Sequence, residues 1–455
     1  MTKKIDVVLL IALVIGGVFC SCCGSDGPFT PEVLQAYLNE NKEDVDDFSN
    51  YSVYVDYTDC LKLACDADSN TKRKLEFFVG KTGGIADRCN GYYALKDDSI
   101  QALGKPNKET FNNIYNQGNY KWTAPIEKAL RRITQKNEGA VLITDFEEYQ
   151  DGKIFRGDFA SRYFIPWIQR GNNITFFIFD FEENGFDKHL YVTVFDSPKQ
   201  IVLNDVKDAL SQGEINYQMF NLNNSLFSTK TDYDWKAYGG NYRNNAGEDC
   251  ISFTQDGGEG DCYCYFDGCN AEYYPFGEPW EYIVKNIADD RSLESSERDG
   301  EVPYKDLISG LHIDFSRMSG YRVEKLSLKM TGIQPDFDAF RNSMVEESVK
   351  YQPVSCGAIY DMFVFTGMIS NNRADVAIDI KPGFSGKVAN MNGSDMVRVD
   401  VLIEKCSVND GVLGGLFAWN DKGGSNNSLK DAVLNTLQEC TPTGKVVYSY
   451  FVQCL

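Results

Sequence analysis

Residues 51 to 55, Tyr-Ser-Val-Tyr-Val, are β-branched or aromatic apart from Ser52, and such a run reads as a short buried strand. It breaks at once into Asp56-Tyr57-Thr58-Asp59-Cys60, which sets carboxylates, a hydroxyl and a thiol just past the strand end. In an open α/β sheet, ligands sit in the crevice beyond the carboxyl ends of the strands. This stretch therefore constrains fold and function together: a central strand with polar side chains gathered at one rim.

The residues that follow alternate between two periods. Leu75 to Val79 is a compact apolar run ending near Lys81-Thr82-Gly83-Gly84. Thr123 reads as an N-cap with Pro125 in the first turn, and Ile126, Ala129, Leu130 and Ile133 fall on one helical face. Ala140 to Thr144 is a buried strand ending at Asp145, and Phe159 to Ile168 has helical spacing. Ile174 to Phe179 and His189 to Phe195 read as strands, and Asp205 to Leu210 as a short helix. Strands alternating with helices predict a doubly wound, mostly parallel α/β sheet over residues 48–212, covered on both faces.

The composition shifts near residue 213. Residues 213–300 are rich in Asn, Asp, Gly, Tyr and Cys, which predicts irregular structure or short strands, with a short helix at Pro279 to Val284. Residues 301–455 alternate apolar and polar positions at Leu311 to Phe315, Val323 to Met330, Ala374 to Ile380 and Met396 to Glu404. With an amphipathic helix at Ser428 to Gln438 and a last strand at Lys445 to Val452, this predicts a β-rich α+β region on antiparallel sheet.

Residues 1–21 carry Lys3 and Lys4 ahead of an apolar run from Val7 to Val18, too short to span a bilayer and suited to a signal peptide. Phe19-Cys20-Ser21-Cys22-Cys23 follows, and a small residue before a cysteine at this place resembles the lipobox of a bacterial lipoprotein. That resemblance implies lipidation at Cys22, with Cys23 as the alternative. Residues 22–47 would then be a tether and lead-in helix, and the lipid the only membrane attachment. An ordinary cleaved signal is the other reading. The formal charge of −21 argues against a nucleic-acid partner, since phosphate binding needs clustered Lys and Arg. Among 14 cysteines, Cys250, Cys262, Cys264 and Cys269 form a local cluster that suits disulfides better than zinc in an exported chain.

Asp56-x-Thr58-x-Cys60 after the first strand, Thr123 at a helix start and Asp145 after a later strand come in a telling order. It resembles the von Willebrand factor A domain, whose metal-ion-dependent adhesion site uses an Asp-x-Ser-x-Ser loop, a distant threonine and a later aspartate. The resemblance covers residues 48–212 and implies that Asp56, Thr58, Thr123 and Asp145 hold Mg or Ca, with Asp59 and Cys60 as neighbours. Cys60 departs from the pattern, because hard cations prefer oxygen to a thiol. Asp and Thr at such positions also serve simply as caps and turn formers.

No Gly-x-Ser-x-Gly, His-Glu-x-x-His or phosphate-binding glycine loop occurs. A haloacid-dehalogenase-type Asp-x-Asp fails at Thr58. The expectation is a non-catalytic envelope lipoprotein that binds a protein or surface ligand. A metal-free scaffold of an envelope assembly and a carbohydrate-binding surface protein are the alternatives.

Overall fold

The computed structural model describes residues 48–58, 88–104, 121–136, 138–183, 185–212, 217–231, 304–335, 363–380 and 396–454, together with short strands between 241 and 285 and at Tyr351–Val354. Nine strands open the fold: β1 (Tyr51–Asp56), β2 (Cys89–Lys96), β3 (Ser99–Gly104), β4 (Gly139–Thr144), β5 (Tyr149–Gln150), β6 (Lys153–Ile154), β7 (Asn173–Glu183), β8 (Phe186–Asp196) and β9 (Gln218–Leu222). Helices α1 (Ile126–Lys136), α2 (Ser161–Gln169) and α3 (Ile201–Gln212) are threaded among them. Seven of the strands form one sheet in the order β3-β2-β1-β4-β8-β7-β9.

This sheet corrects the expected doubly wound, mostly parallel architecture. Only β1 with β2 and β1 with β4 run parallel. The pairs β2–β3, β4–β8, β7–β8 and β7–β9 are all antiparallel. The reason is turn chemistry. A parallel pair needs a crossover of a dozen or more residues, whereas Glu183 pairs with Phe186, only three positions on. Gly185 has φ of 81°, the left-handed backbone that a two-residue hairpin loop demands. Asp97-Asp98 turns β2 into β3 and Asp151-Gly152 turns β5 into β6 in the same manner. The sheet also runs past residue 212, since β9 forms its outer strand. The apolar run at Leu75 to Val79 and the Gly83-Gly84 pair lie outside the described residues.

Both faces of the sheet are covered, which explains why β1 and β4 read as continuous apolar runs. On one face Val53, Val55, Val141, Ile143, Val192 and Val194 pack against Val202, Leu203, Val206 and Leu210 of α3. Asp196 fixes the start of that helix: its carboxylate accepts the Ser197 amide at 2.7 Å and the Leu203 amide at 2.8 Å. On the other face Phe164 and Trp167 of α2 pack with Phe146, Phe176 and Phe195. Each such side chain, fully buried, stabilises the fold by roughly 1.5–3 kcal/mol.

Most of the remaining strands make two further sheets, one antiparallel and one antiparallel but for a single parallel pair. Ser228–Thr231, Tyr304–Asp314, Arg373–Ile380 and Phe363–Ser370 form a four-stranded sheet. A nine-stranded sheet is centred on Tyr321–Pro335, Met396–Val408 and Val446–Cys454. Trp280–Lys285, expected as a helix, is a strand of this sheet, paired parallel to Val446–Cys454. This six-residue run is too short for a helical stripe, and its aromatic and β-branched residues suit an extended pairing partner. A helical turn, α4 (Leu413–Phe417), and a longer helix, α5 (Ser428–Glu439), return the chain to the first sheet. Phe417 inserts between Phe176, Tyr191 and Phe220, and the Tyr191 hydroxyl donates to the Leu416 carbonyl at 2.9 Å. The two halves thereby share one core.

Candidate functional site: the carboxyl-end rim of the first sheet

Because β1 pairs parallel with β4, the residues that leave both strands meet at one rim. Asp56, the last residue of β1, is buried, and its Oδ2 accepts the Thr144 hydroxyl at 2.8 Å. Burial pushes its carboxyl up to about 6, against the pull of hydrogen bonds from Thr144 and from the Thr58 hydroxyl and amide. Thr144 also accepts the Phe146 amide at 3.1 Å, and Asp145 accepts the Glu147 amide at 2.9 Å. Phe146 sits at φ of 60°, a costly backbone for a bulky residue, with its ring locked between Phe164, Phe176 and Tyr191. That turn sets the acidic side chains of Asp145 and Glu147 at the rim while the ring between them enters the core.

Glu147 is the centre of a contact that joins distant parts of the chain. Its Oε1 lies 2.7 Å from Lys188 Nζ and accepts the Trp419 indole N–H at 2.9 Å, all three residues being buried. Burial and the neighbouring Asp145 push this carboxyl upward, while Lys188 and Trp419 pull it down. The opposite pulls leave a carboxylate whose ionised form depends on its ammonium partner. Next along, Glu148 Oε2 accepts the Glu127 amide at 2.8 Å and so caps α1. Thr123, expected as that cap, instead directs its hydroxyl to the Asp97 carbonyl at 3.4 Å. The cap comes from the β4 rim because the chain between Thr123 and α1 is turned by Ala124-Pro125, which carries the threonine away from the helix amides.

Of the four residues implied as metal ligands, Asp56, Thr58 and Asp145 stand on the same rim, and Thr123 faces the β2–β3 turn. Asp59, Cys60 and Cys22 lie outside the described residues. A hard cation wants several free oxygens around one point. Asp56 Oδ2 accepts the Thr144 hydroxyl and Asp145 Oδ1 the Glu147 amide, and Lys188 already supplies positive charge at the rim. Among the described residues no three His, Cys, Asp or Glu side chains converge on a metal position.

What the rim does present is a cleft of about 520 Å³, lined by Trp122, Glu147, Tyr149, Lys153, Ile154, Arg156, Phe186, Lys188, Asp421, Lys422 and Gly423. Its walls come from the segment before α1, the β5–β6 hairpin, the start of β8 and a hairpin formed by Trp419–Asp421 and Gly424–Asn426. Arg156 fastens that last hairpin, 2.6 Å from Asp421 and donating to the Gly424 carbonyl at 3.1 Å. Trp122 stands at the mouth, 80% exposed. Sequence reasoning finds Asp56 and Asp145 from their strand ends. It misses Glu147, Lys188, Trp122 and Lys422, because they converge only through tertiary pairing. The one local signal was the Asp151-Gly152 turn, which marks a hairpin beside the rim.

No family model, curated protein or solved structure matches the chain. Its class therefore rests on its own geometry: a mixed sheet sharing a core with mostly antiparallel layers, with a walled cleft at the carboxyl end of its parallel strands.

Proposed function

We propose that the chain is an exported protein, lipid-anchored at Cys22, that holds a ligand in the rim cleft without chemically changing it. The observation that carries this reading is the construction of the cleft. Separate segments of the chain converge to wall it, and both of its carboxylates are engaged in ion pairs, Glu147 with Lys188 and Asp421 with Arg156. Binding sites commonly have such pre-formed walls, with a few fixed polar groups and aromatic surface. Among the described residues no helix is long and apolar enough to cross a membrane. A lipid at the N-terminus supplies the attachment in this reading.

The test is site-specific photocrosslinking in cells that carry the native ligand. A benzophenone side chain at position 122 is expected to give a discrete adduct. The same group at Met368, 79% exposed and remote from the cleft residues in sequence, serves as the control. Equal labelling from both positions would reject the cleft as the binding site. Radiolabelled palmitate is expected to label the parent chain in the membrane fraction, and a Cys22→Ser change to abolish both the label and the membrane attachment.

A further inference from the structure

We infer that the cleft takes an acidic saccharide, with anionic groups against Lys153 and Lys422 and a sugar ring laid on Trp122; this rests on the reading of the cleft as a ligand site. Charge is the first argument. The chain carries −21 overall, yet the cleft is lined by four cations and only two carboxylates. Two of the cations, Lys188 and Arg156, are held by Glu147 at 2.7 Å and Asp421 at 2.6 Å. That leaves Lys153 and Lys422 exposed on the lining with no ion pair among the described residues. The net positive lining favours an anion, and on a chain this acidic it marks where an anion would bind.

Shape is the second. Trp122 offers a flat apolar face to solvent at the mouth, with Tyr149, Ile154 and Phe186 continuing the wall. An aromatic face next to ammonium groups fits a ligand that is both ringed and charged. An acidic peptide is the competing anion, and the lining does not offer its usual modes. Peptides add to a free sheet edge or lay a helix into an apolar groove. Most strands lining the cleft are two or three residues long, β5 paired with β6 and Trp419–Asp421 with Gly424–Asn426, and the start of the longer β8 is paired with β7. The cleft's roughly 520 Å³ also suits one or two sugar rings better than a length of extended chain.

The experiment is calorimetric titration of the full mature chain at low salt with four probes: an oligogalacturonate, a chondroitin sulfate oligosaccharide, a neutral cello-oligosaccharide and hexaglutamate. One or both acidic saccharides are expected to bind, the neutral one not, and the two acidic arms separate a carboxylate from a sulfate ligand. Lys153→Glu with Lys422→Glu should abolish the heat, and Trp122→Ala should weaken binding by roughly tenfold. All three positions are exposed, so the variants are expected to keep the parent's unfolding midpoint, and that midpoint is measured alongside. Hexaglutamate binding that needs both lysines but not Trp122 would overturn the saccharide while leaving the cleft a ligand site. Silence from every probe overturns the saccharide too, and the crosslink from position 122 then decides separately whether the cleft binds anything. Saccharide binding that survives all three substitutions would place the sugar elsewhere and overturn the inference.

Discussion

At the level of single residues, the rim stores destabilising electrostatics. Asp56 titrates near 6 in the fold against an ordinary value of 3.8. A group whose folded value is raised favours the folded state fully at low pH and loses that contribution as pH climbs through the folded value. For Asp56 the window runs from about pH 4 to above pH 6, and a shift of about two units corresponds to roughly 3 kcal/mol. Asp56→Asn keeps an acceptor for the Thr144 hydroxyl and removes the charge. It is expected to be more stable than the parent by about 1–3 kcal/mol at pH 7.5, with the advantage vanishing near pH 4. Urea unfolding at both pH values checks this, and the difference between the two proteins isolates Asp56 from Asp196, which burial also pushes up to about 6. The Glu147 carboxyl is also pushed up, to about 7, but its charge is paired with Lys188. Glu147→Gln strands a buried ammonium and should cost about 3–5 kcal/mol, while adding Lys188→Met should recover most of it. A double-mutant cycle by urea denaturation reads both. Asp56 and Asp145 were legible in the sequence because strand ends gather polar residues. The Glu147 contact was not, since Trp419 lies 272 residues away.

Elements show where reading the sequence succeeds and where it misleads. The α1 stripe of Ile126, Ala129, Leu130 and Ile133 is buried as its spacing predicts, and so is every residue of β4. Those features follow from periodicity alone. Strand direction does not, because it depends on the connection. Asn184-Gly185 is visible in the sequence, but helical spacing in neighbouring segments suggests crossovers and masks the hairpin it encodes. One helix contact offers a sharp test of element packing. Gly320, which precedes the strand Tyr321–Pro335, lies so close to α5 that an added Cβ would stand 2.3 Å from the Leu437 side chain. Tyr321 reinforces the same contact, its hydroxyl sharing one proton between the Leu437 and Cys440 carbonyls, each 2.8 Å away. Gly320→Ala should therefore cost about 1–3 kcal/mol through overpacking. Combining it with Leu437→Ala should give less than the sum of the two, since the second change opens room for the first. Thermal unfolding of the single and double variants measures that coupling.

Over the whole molecule, the first sheet and the C-terminal layers depend on each other for burial. The expectation of separate modules at 48–212 and 301–455 treats each as burying its own apolar surface. The face carrying Phe176, Tyr191 and Phe220 is closed instead by Phe417, from a segment two hundred residues downstream. Sequence reading has no handle on this, because a buried phenylalanine looks the same whichever layer it packs against. The same docking brings Trp419 and Asp421 to the rim, so the cleft exists only when the halves are joined. Phe417→Ala removes the side chain at the centre of this joint and should cost about 3–5 kcal/mol. If one core serves both halves, hydrogen exchange should rise together in β7, β8 and α5, and the cleft should lose ligand affinity in step. Loss of protection confined to residues 413–426, with β7 and β8 unchanged, would mean that the hairpin detaches by itself. The first sheet would then stand as an independent unit whose rim is only half of the site.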